Sequence, residues 1–224
     1  TPSVKDTYFQ HKLLTKIHGK PTYPTLQKLH TELKANASSV PSTLGGGLHG
    51  HLGLLVTATT YATLQPANPW VTPPNPGPFV PPAAFTAAQL EAARTVWTES
   101  HQRFEMCQAT EKALIAQVVD AVDTIYLRAL LNRATGQYST SIRDIMDHLF
   151  MTYGQLTPQL VRATEAEVYN LHFDISQPVD LIFNAIEDLS ALAVHANSPI
   201  SAQQMMDMAY VIFAKQPILQ QDLR

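Results

Sequence analysis

The clearest hydrophobic pattern in the chain lies at Ile142, Ile145, Met146, Leu149, Phe150 and Tyr153. That spacing puts six apolar side chains on one face of a helix, so residues 142–153 read as amphipathic, with Thr140 as the cap. Gly154 follows, and glycine is the residue that takes the left-handed conformation after a helix end without a Cβ clash. Thr157-Pro158 then supplies a cap and a proline at the first helical position. The pattern thus predicts a stop and a new start within residues 154–157.

Other stretches carry the same period. Leu26, Leu29 and Leu33 make a stripe that begins near Tyr23, with Pro24 in the first turn and Asn36 near the stop. Thr57–Leu64 reads as a short helix capped by Thr57. Thr86 with Gln89 is a capping box that opens the longest periodic segment, from Leu90 and Trp97 through Phe104 and Leu114 to Ile125 and Leu131. Neither Gly nor Pro interrupts it, so one long helix or two nearly continuous ones are expected. Residues 132–137 form a turn. Beyond residue 157, Leu160, Thr164, Val168 and Leu171 mark one helix. A second begins at Pro178, with Val179, Ile182, Phe183, Ile186, Leu189 and Ala193 inward, and breaks at Asn197-Ser198-Pro199. Ser201 with Gln204 caps a third, carrying Met205, Met208, Ala209, Ile212 and Phe213. Pro217 interrupts, and Ile218–Arg224 reads as the first turns of a helix cut short, as in an excised fragment.

Two segments fit no period. Residues 40–56 hold five of the nine glycines, at 45, 46, 47, 50 and 53. A phosphate-cradling loop needs a following Lys-Ser/Thr or a βαβ setting, and neither is present. His49 and His51 offer two metal ligands without a neighbouring third. The reading favoured by the residues is a tight loop whose backbone passes close to other elements, with Leu48, Leu52, Leu54 and Leu55 pinned inward. Residues 66–82 hold eight prolines, which predicts an extended surface loop tacked down by Trp70 and Phe79, or a ligand for a proline-binding partner.

Composition narrows the function. With 45% apolar and 15% charged residues the chain is a folded one, and no apolar run suffices for a membrane span. Thr1–Asp6 lacks the apolar core of a signal peptide, so a cytoplasmic setting is expected. A lone Cys107 excludes an internal disulfide and a cysteine-based metal site. His101 and Cys107 fall on or beside the long helical stripe, as core residues rather than a nucleophile pair. No catalytic motif is present, no cofactor is implied, and a non-enzymatic binding or structural protein is expected. The net charge of −3 hides a gradient: residues 1–40 carry six lysines against Asp6 and Glu32, a balance of +4, while residues 155–224 carry three basic against eight acidic residues, a balance of −5. Charge runs of this kind ordinarily mean a pair of solvated faces, and the alternative is attraction of the two ends between neighbouring copies.

Several stretches together resemble the Gag-like proteins of copia-type LTR retrotransposons. They are Asn36, Ala37, Val40, Ser42 and Leu44-Gly45-Gly46-Gly47; then Gly50-His51-Leu52-Gly53-Leu54; then Tyr153-Gly154; then Leu171, Phe173, Asp174, Pro178, Val179, Asp180, Ile182, Phe183 and Ile186-Glu187-Asp188-Leu189. Pro199-Ile200-Ser201 and Ala209-Tyr210 continue the likeness, which spans most of residues 20–215. The resemblance implies an all-α capsid protein of two small helical lobes, similar to retroviral capsid domains, that self-assembles into a shell around the element's RNA. The corresponding layout is an extended basic arm over 1–21, an N-terminal helical domain over 22–153 with the glycine- and proline-rich loops, a hinge at Gly154, Gln155, Leu156 and Thr157, and a C-terminal helical domain over 158–224. Residues 175–189 sit where retroviral capsids carry their major homology region, without that region's glycine, glutamate and arginine. The family's cysteine- and histidine-bearing zinc knuckle has no counterpart, so RNA would be reached through a region outside this chain, or weakly through the N-terminal lysines. The alternative is a monomeric helical adaptor that recognises a protein partner.

Overall fold

The hydrophobic stripes become helices that bury them, as a computed structural model of the chain shows. The structure describes residues 3–81, 84–138, 140–174, 176–196 and 198–215. Among these the architecture is helical without named strands, apart from an isolated bridge between Leu131 and Tyr138. The expected break at Asn197, the interruption at Pro217 and the helix from Ile218 lie outside the described residues. The chain divides into two compact units, Thr1–Gly154 and Gln155–Arg224.

The first unit is built from α1 (Val4–Tyr8), α2 (Tyr23–Ser39), α3 (Ala58–Leu64), α4 (Ala87–Ala121), α5 (Thr124–Leu127) and α6 (Ile142–Tyr153), with three short 3-10 turns. Helix α2 packs on both α4 and α6. Leu26, Leu29 and Leu33 are at most 1% exposed, and each such side chain contributes about 1.5–3 kcal/mol by leaving water. Ile142, Ile145, Met146 and Leu149 of α6 close the same core. Two features bind α6 into place. Its first N–H, at Ile142, donates to Glu111 Oε1 of α4 at 3.2 Å, and Arg143 Nη2 donates to the Gly53 carbonyl at 2.6 Å.

Several local expectations are refined or corrected. Asn36 lies near the end of α2, in the last turn before Ser39, and its side chain is fully buried. It donates to Gln117 Oε1 of α4 at 2.8 Å and to the His11 carbonyl, and accepts from the His11 N–H at 2.7 Å. Gln117 in turn donates to the carbonyls of His11 and Lys12. Residues 3–21 are thereby held against α2 and α4. Phe9, Leu14 and Ile17 enter the core, and the Ile17 N–H donates to the last carbonyl of α4, at Ala121, at 2.8 Å. Helix α4 stops there and α5 follows after two residues, the second of the two arrangements expected for this segment; Asp123 starts α5 by accepting from the Ile125 N–H. Ser141, not Thr140, caps α6, in a reciprocal box with Asp144. Leu48 is 75% exposed rather than pinned inward, since the left-handed turn at Gly47 precedes it.

The second unit is a three-helix cluster of α7 (Pro158–Tyr169), α8 (Asp180–His195) and α9 (Ala202–Ala214), each packed on the other two. Its core is Val161, Val168, Phe173, Ile182, Ile186, Leu189, Ala193, Met208 and Ile212, with Phe173 edge-on to Phe213 at 5.1 Å. Lys215 Nζ donates to the Tyr169 carbonyl, tying the end of α9 to that of α7. Val161 takes the buried place expected of Leu160. Val179, at the cap before α8, and Phe183 on it lie outside the core, because the buried arc is centred on Ile182, Ile186 and Leu189 and Phe183 stands well round the helix from it.

Asn36→Ala would leave the His11 N–H and Gln117 Oε1 buried without partners, each costing about 1–3 kcal/mol. Urea unfolding of this variant is expected to show a loss of about 2–4 kcal/mol, whereas Thr31→Ala on the exposed side of α2 changes stability by less than about 0.5 kcal/mol. Equal losses would show that the amide network is not what secures the N-terminal segment.

Candidate functional site

The glycine-rich segment is organised by what a Cβ would strike. At Gly53 a Cβ would lie 2.0 Å from the Trp70 ring, and at Gly50 2.4 Å from the Ser38 carbonyl oxygen. Gly45 is left-handed, and a Cβ there would meet Tyr61, whose hydroxyl donates to the Gly45 carbonyl at 3.0 Å. Small residues are thus required where Trp70, from the proline-rich segment, and Tyr61, from α3, press against the backbone. Leu54 and Leu55 are buried beneath them, and Leu52 is half-buried.

The two histidines of this segment have separate surroundings. His51 is 1% exposed, its Nδ1 lies 3.2 Å from the Val40 carbonyl, and its ring meets Trp70 edge-on at 5.9 Å. Burial lowers its pKa, with the Val40 carbonyl opposing the shift, so the ring is neutral near pH 7. His49 instead meets the Tyr61 ring at 6.0 Å. Among the described residues no three of His, Cys, Asp and Glu come together to hold a metal ion. His51 does line a groove of about 500 Å³, with Pro41–Leu44 on one side and Glu99, Gln102, Arg103 and Met106 of α4 on the other. The groove carries the hydroxyls of Ser42 and Thr43 and a single carboxylate, Glu99.

His101 and Cys107 are not a catalytic pair either. Cys107 is 1% exposed, and burial with the nearby Glu111 carboxylate pushes its thiol up to about 11, which keeps it protonated. His101 stacks on Trp97 at 4.9 Å and reaches Glu105 Oε1 at 3.2 Å.

The four residues at the junction serve two helix ends. Gly154 is buried with φ −88° and ψ 14°, so it is not left-handed as expected; its N–H donates to the Leu149 and Phe150 carbonyls. Glycine is needed there for space, because a Cβ would come within 2.9 Å of the Phe150 ring and carbonyl. Thr157 caps α7, its side chain accepting from the Leu160 N–H at 3.2 Å. Gln155 and Leu156 link the two ends, exposed and half-buried respectively.

Exposed apolar side chains are the features that sequence reasoning missed. In the second unit Leu181, Phe183 and Val194 of α8 and Met206, Tyr210 and Val211 of α9 are exposed, on helices whose opposite faces are already buried. The signal was available in their angular positions, since Phe183 and Val194 lie far from the Ile182–Ile186–Leu189 arc. In the first unit the proline-rich segment lies on α4, where Trp97 Nε1 donates to the Gly77 carbonyl at 3.0 Å and Phe79 packs on Trp97 at 5.8 Å. Phe79, Val80, Phe85, Val96 and Trp97 line a second groove there, of about 650 Å³. Among the described residues no helix is long and apolar enough to cross a membrane. Searches of protein-family models, curated proteins and solved structures find no match to the chain.

His30 on α2 gives the first unit a pH dependence. Its ring packs against Phe150 at 5.7 Å, its Nε2 is buried without a partner, and burial, aided by Lys34, lowers its pKa from 6.5 to about 4. The unfolded chain therefore binds this proton more readily than the folded one. Stability from neutral His30 is full above pH 6.5 and is lost as pH falls towards 4. Urea midpoints at pH 7 and pH 5 are expected to differ by on the order of 2 kcal/mol from this group, and His30→Leu to remove that part of the difference. An unchanged pH dependence in His30→Leu would assign the effect elsewhere.

Proposed function

We propose that the chain is a structural, non-enzymatic protein: a Gag-like capsid subunit whose copies assemble into a shell that packages retrotransposon RNA in the cytoplasm. The observation that carries this reading is the set of large apolar side chains left exposed on α8 and α9. Helices whose inner faces are already packed, and whose outer faces still carry Phe183, Tyr210, Leu181 and Val211, are suited to repeated contacts between copies. In a closed assembly each contact recurs many times, so individually weak patches suffice. The sequence likeness described above supports the same reading. RNA would be held by a region outside this chain, with the N-terminal lysines adding weak, salt-sensitive contact. In this reading Gly154, Gln155, Leu156 and Thr157 let the two units adopt the angles that different curvatures require.

A second reading is favoured by the groove between the proline-rich segment and α4. A monomeric helical adaptor would use that apolar channel to hold a segment of a protein partner.

Light scattering and negative-stain electron microscopy of the purified protein distinguish the two. Particles of many copies that form as concentration rises are expected for the capsid subunit. A monomer across salt and concentration would leave the adaptor reading. Inserting Gly-Ser between Gln155 and Leu156 is expected to preserve helicity and melting temperature while changing particle size; an unchanged size distribution would refute the pivot.

A further inference from the structure

The charge gradient acquires a shape in the folded chain. Residues 9–22 run back along α2: the His11 N–H donates to Asn36, and the Thr15 N–H and Oγ1 donate to Glu32 at 2.8 and 2.6 Å. The sequence positions 11 and 15 thus pair with 36 and 32 in reverse order, which carries Lys16 and Lys20 towards the half of α2 that bears Lys28. Lys28 is close enough to Glu32 to act on its carboxylate. Both acidic residues of this region are engaged by hydrogen bonds, Glu32 with Thr15 and Asp6 with Ser3. Lys16, Lys20 and Lys28 are exposed and make no ion pair among the described residues. Six lysines face only these two carboxylates in residues 1–40, so this part of the first unit presents a surface with lysine in net excess.

The second unit presents the opposite. Asp180 and Glu187 lie seven residues apart on α8, nearly in line along the helix and opposite the buried Ile182 and Leu189, with Asp188 beside them. All three are exposed, and none has an ion-pair partner among the described residues. Phe183, whose ring also meets Phe213 at 6.0 Å, and Val194 lie along one side of this line, so the outward face of α8 joins acidic and apolar side chains.

We propose that the lysine surface formed by residues 16–28 of one copy docks on the acidic outward face of α8 in a second copy. The two surfaces differ, so the contact is head-to-tail: each copy that donates its lysines still offers its own acidic face. Such a contact propagates instead of closing on itself as a symmetric pair does. Charge brings the copies together and sets register, and Phe183 and Val194 add apolar burial. This contact rests on the self-assembly reading above, and gives it a direction of growth.

The test uses the full chain, treated with nuclease, and two charge-reversed variants. Lys16→Glu/Lys28→Glu makes both surfaces acidic, and Glu187→Lys/Asp188→Lys makes both basic. Far-UV circular dichroism and melting temperature establish that each is folded, and Lys16→Arg/Lys28→Arg serves as the charge-conserving control. Wild-type mass by light scattering is expected to fall as NaCl rises from about 0.05 M to about 0.5 M. Each reversed variant alone is expected to associate at least about tenfold more weakly, the arginine control to match wild type, and an equimolar mixture of the two reversed variants to recover association. A mixture no stronger than its components, a reversed variant as associated as wild type, or wild-type association abolished by nuclease would overturn the proposal. The outcomes also separate this contact from the shell reading. Particles formed by each reversed variant alone would retain the shell and reject the contact. Recovery on mixing without closed particles would retain the contact and reject the shell.

Discussion

The first unit depends on a buried amide network that joins three parts of the chain distant in sequence. Asn36 and Gln117 are 81 positions apart, and their side chains meet at 2.8 Å while both engage the backbone of His11. Each amide offers donors and an acceptor that burial removes from water, so the arrangement is favourable only when every member is present. That requirement fixes the register of α2 against α4. It also fixes where the N-terminal segment crosses them, which in turn delivers Phe9, Leu14 and Ile17 to the core. Hydrophobic burial supplies the larger free energy, yet leucine contacts tolerate sliding and amide hydrogen bonds do not.

The network explains what was legible in the sequence and what was not. Helices with local signals were readable: the boxes at Thr86/Gln89 and Ser201/Gln204 form as expected, and α6 buries Ile142, Ile145, Met146 and Leu149 from the predicted stripe. Asn36 does lie in the last turn of α2, but its buried pairing was hidden, because Gln117 cannot be found by local spacing. The same limit hid the packing of residues 3–21, whose apolar positions have no period because they fill gaps between helices. Thr140 and Ser141 are adjacent potential caps, and only the reciprocal contact with Asp144 separates them. At the candidate site the exposure of Phe183 was missed because a stripe drawn by counting apolar residues gives no angular limit to the buried arc.

Glycine and tryptophan play complementary parts around the 40–56 segment. Trp70 is brought in by a segment too rich in proline to form a ladder, and it needs a flat surface at Gly53. His51 then packs edge-on to the same ring and gains the Val40 carbonyl as a partner. A histidine held in that way is a structural spacer with its ring fixed. The glycine pattern that attracts a phosphate-loop reading is therefore accounted for by close approaches within the fold, of Tyr61 and Trp70 at Gly45 and Gly53 and of backbone carbonyls at Gly47 and Gly50.

Helix α4 raises a different question, since none of its residues from Ala87 to Met106 is buried. Twenty residues of helix extend about 30 Å, and such a length is marginal in water without tertiary support. The capping box at Thr86 satisfies the first turn. The proline-rich segment supplies the remaining support: Phe79 lies against Trp97, Arg94 sits 5.7 Å from the Phe79 ring centroid, and the Gly77 carbonyl accepts from the Trp97 indole. Prolines reduce the freedom that the strap loses on docking, so a few aromatic contacts suffice to hold it. Strap and helix therefore stabilise each other along a surface that the core does not reach, which leaves Val96 exposed beside it.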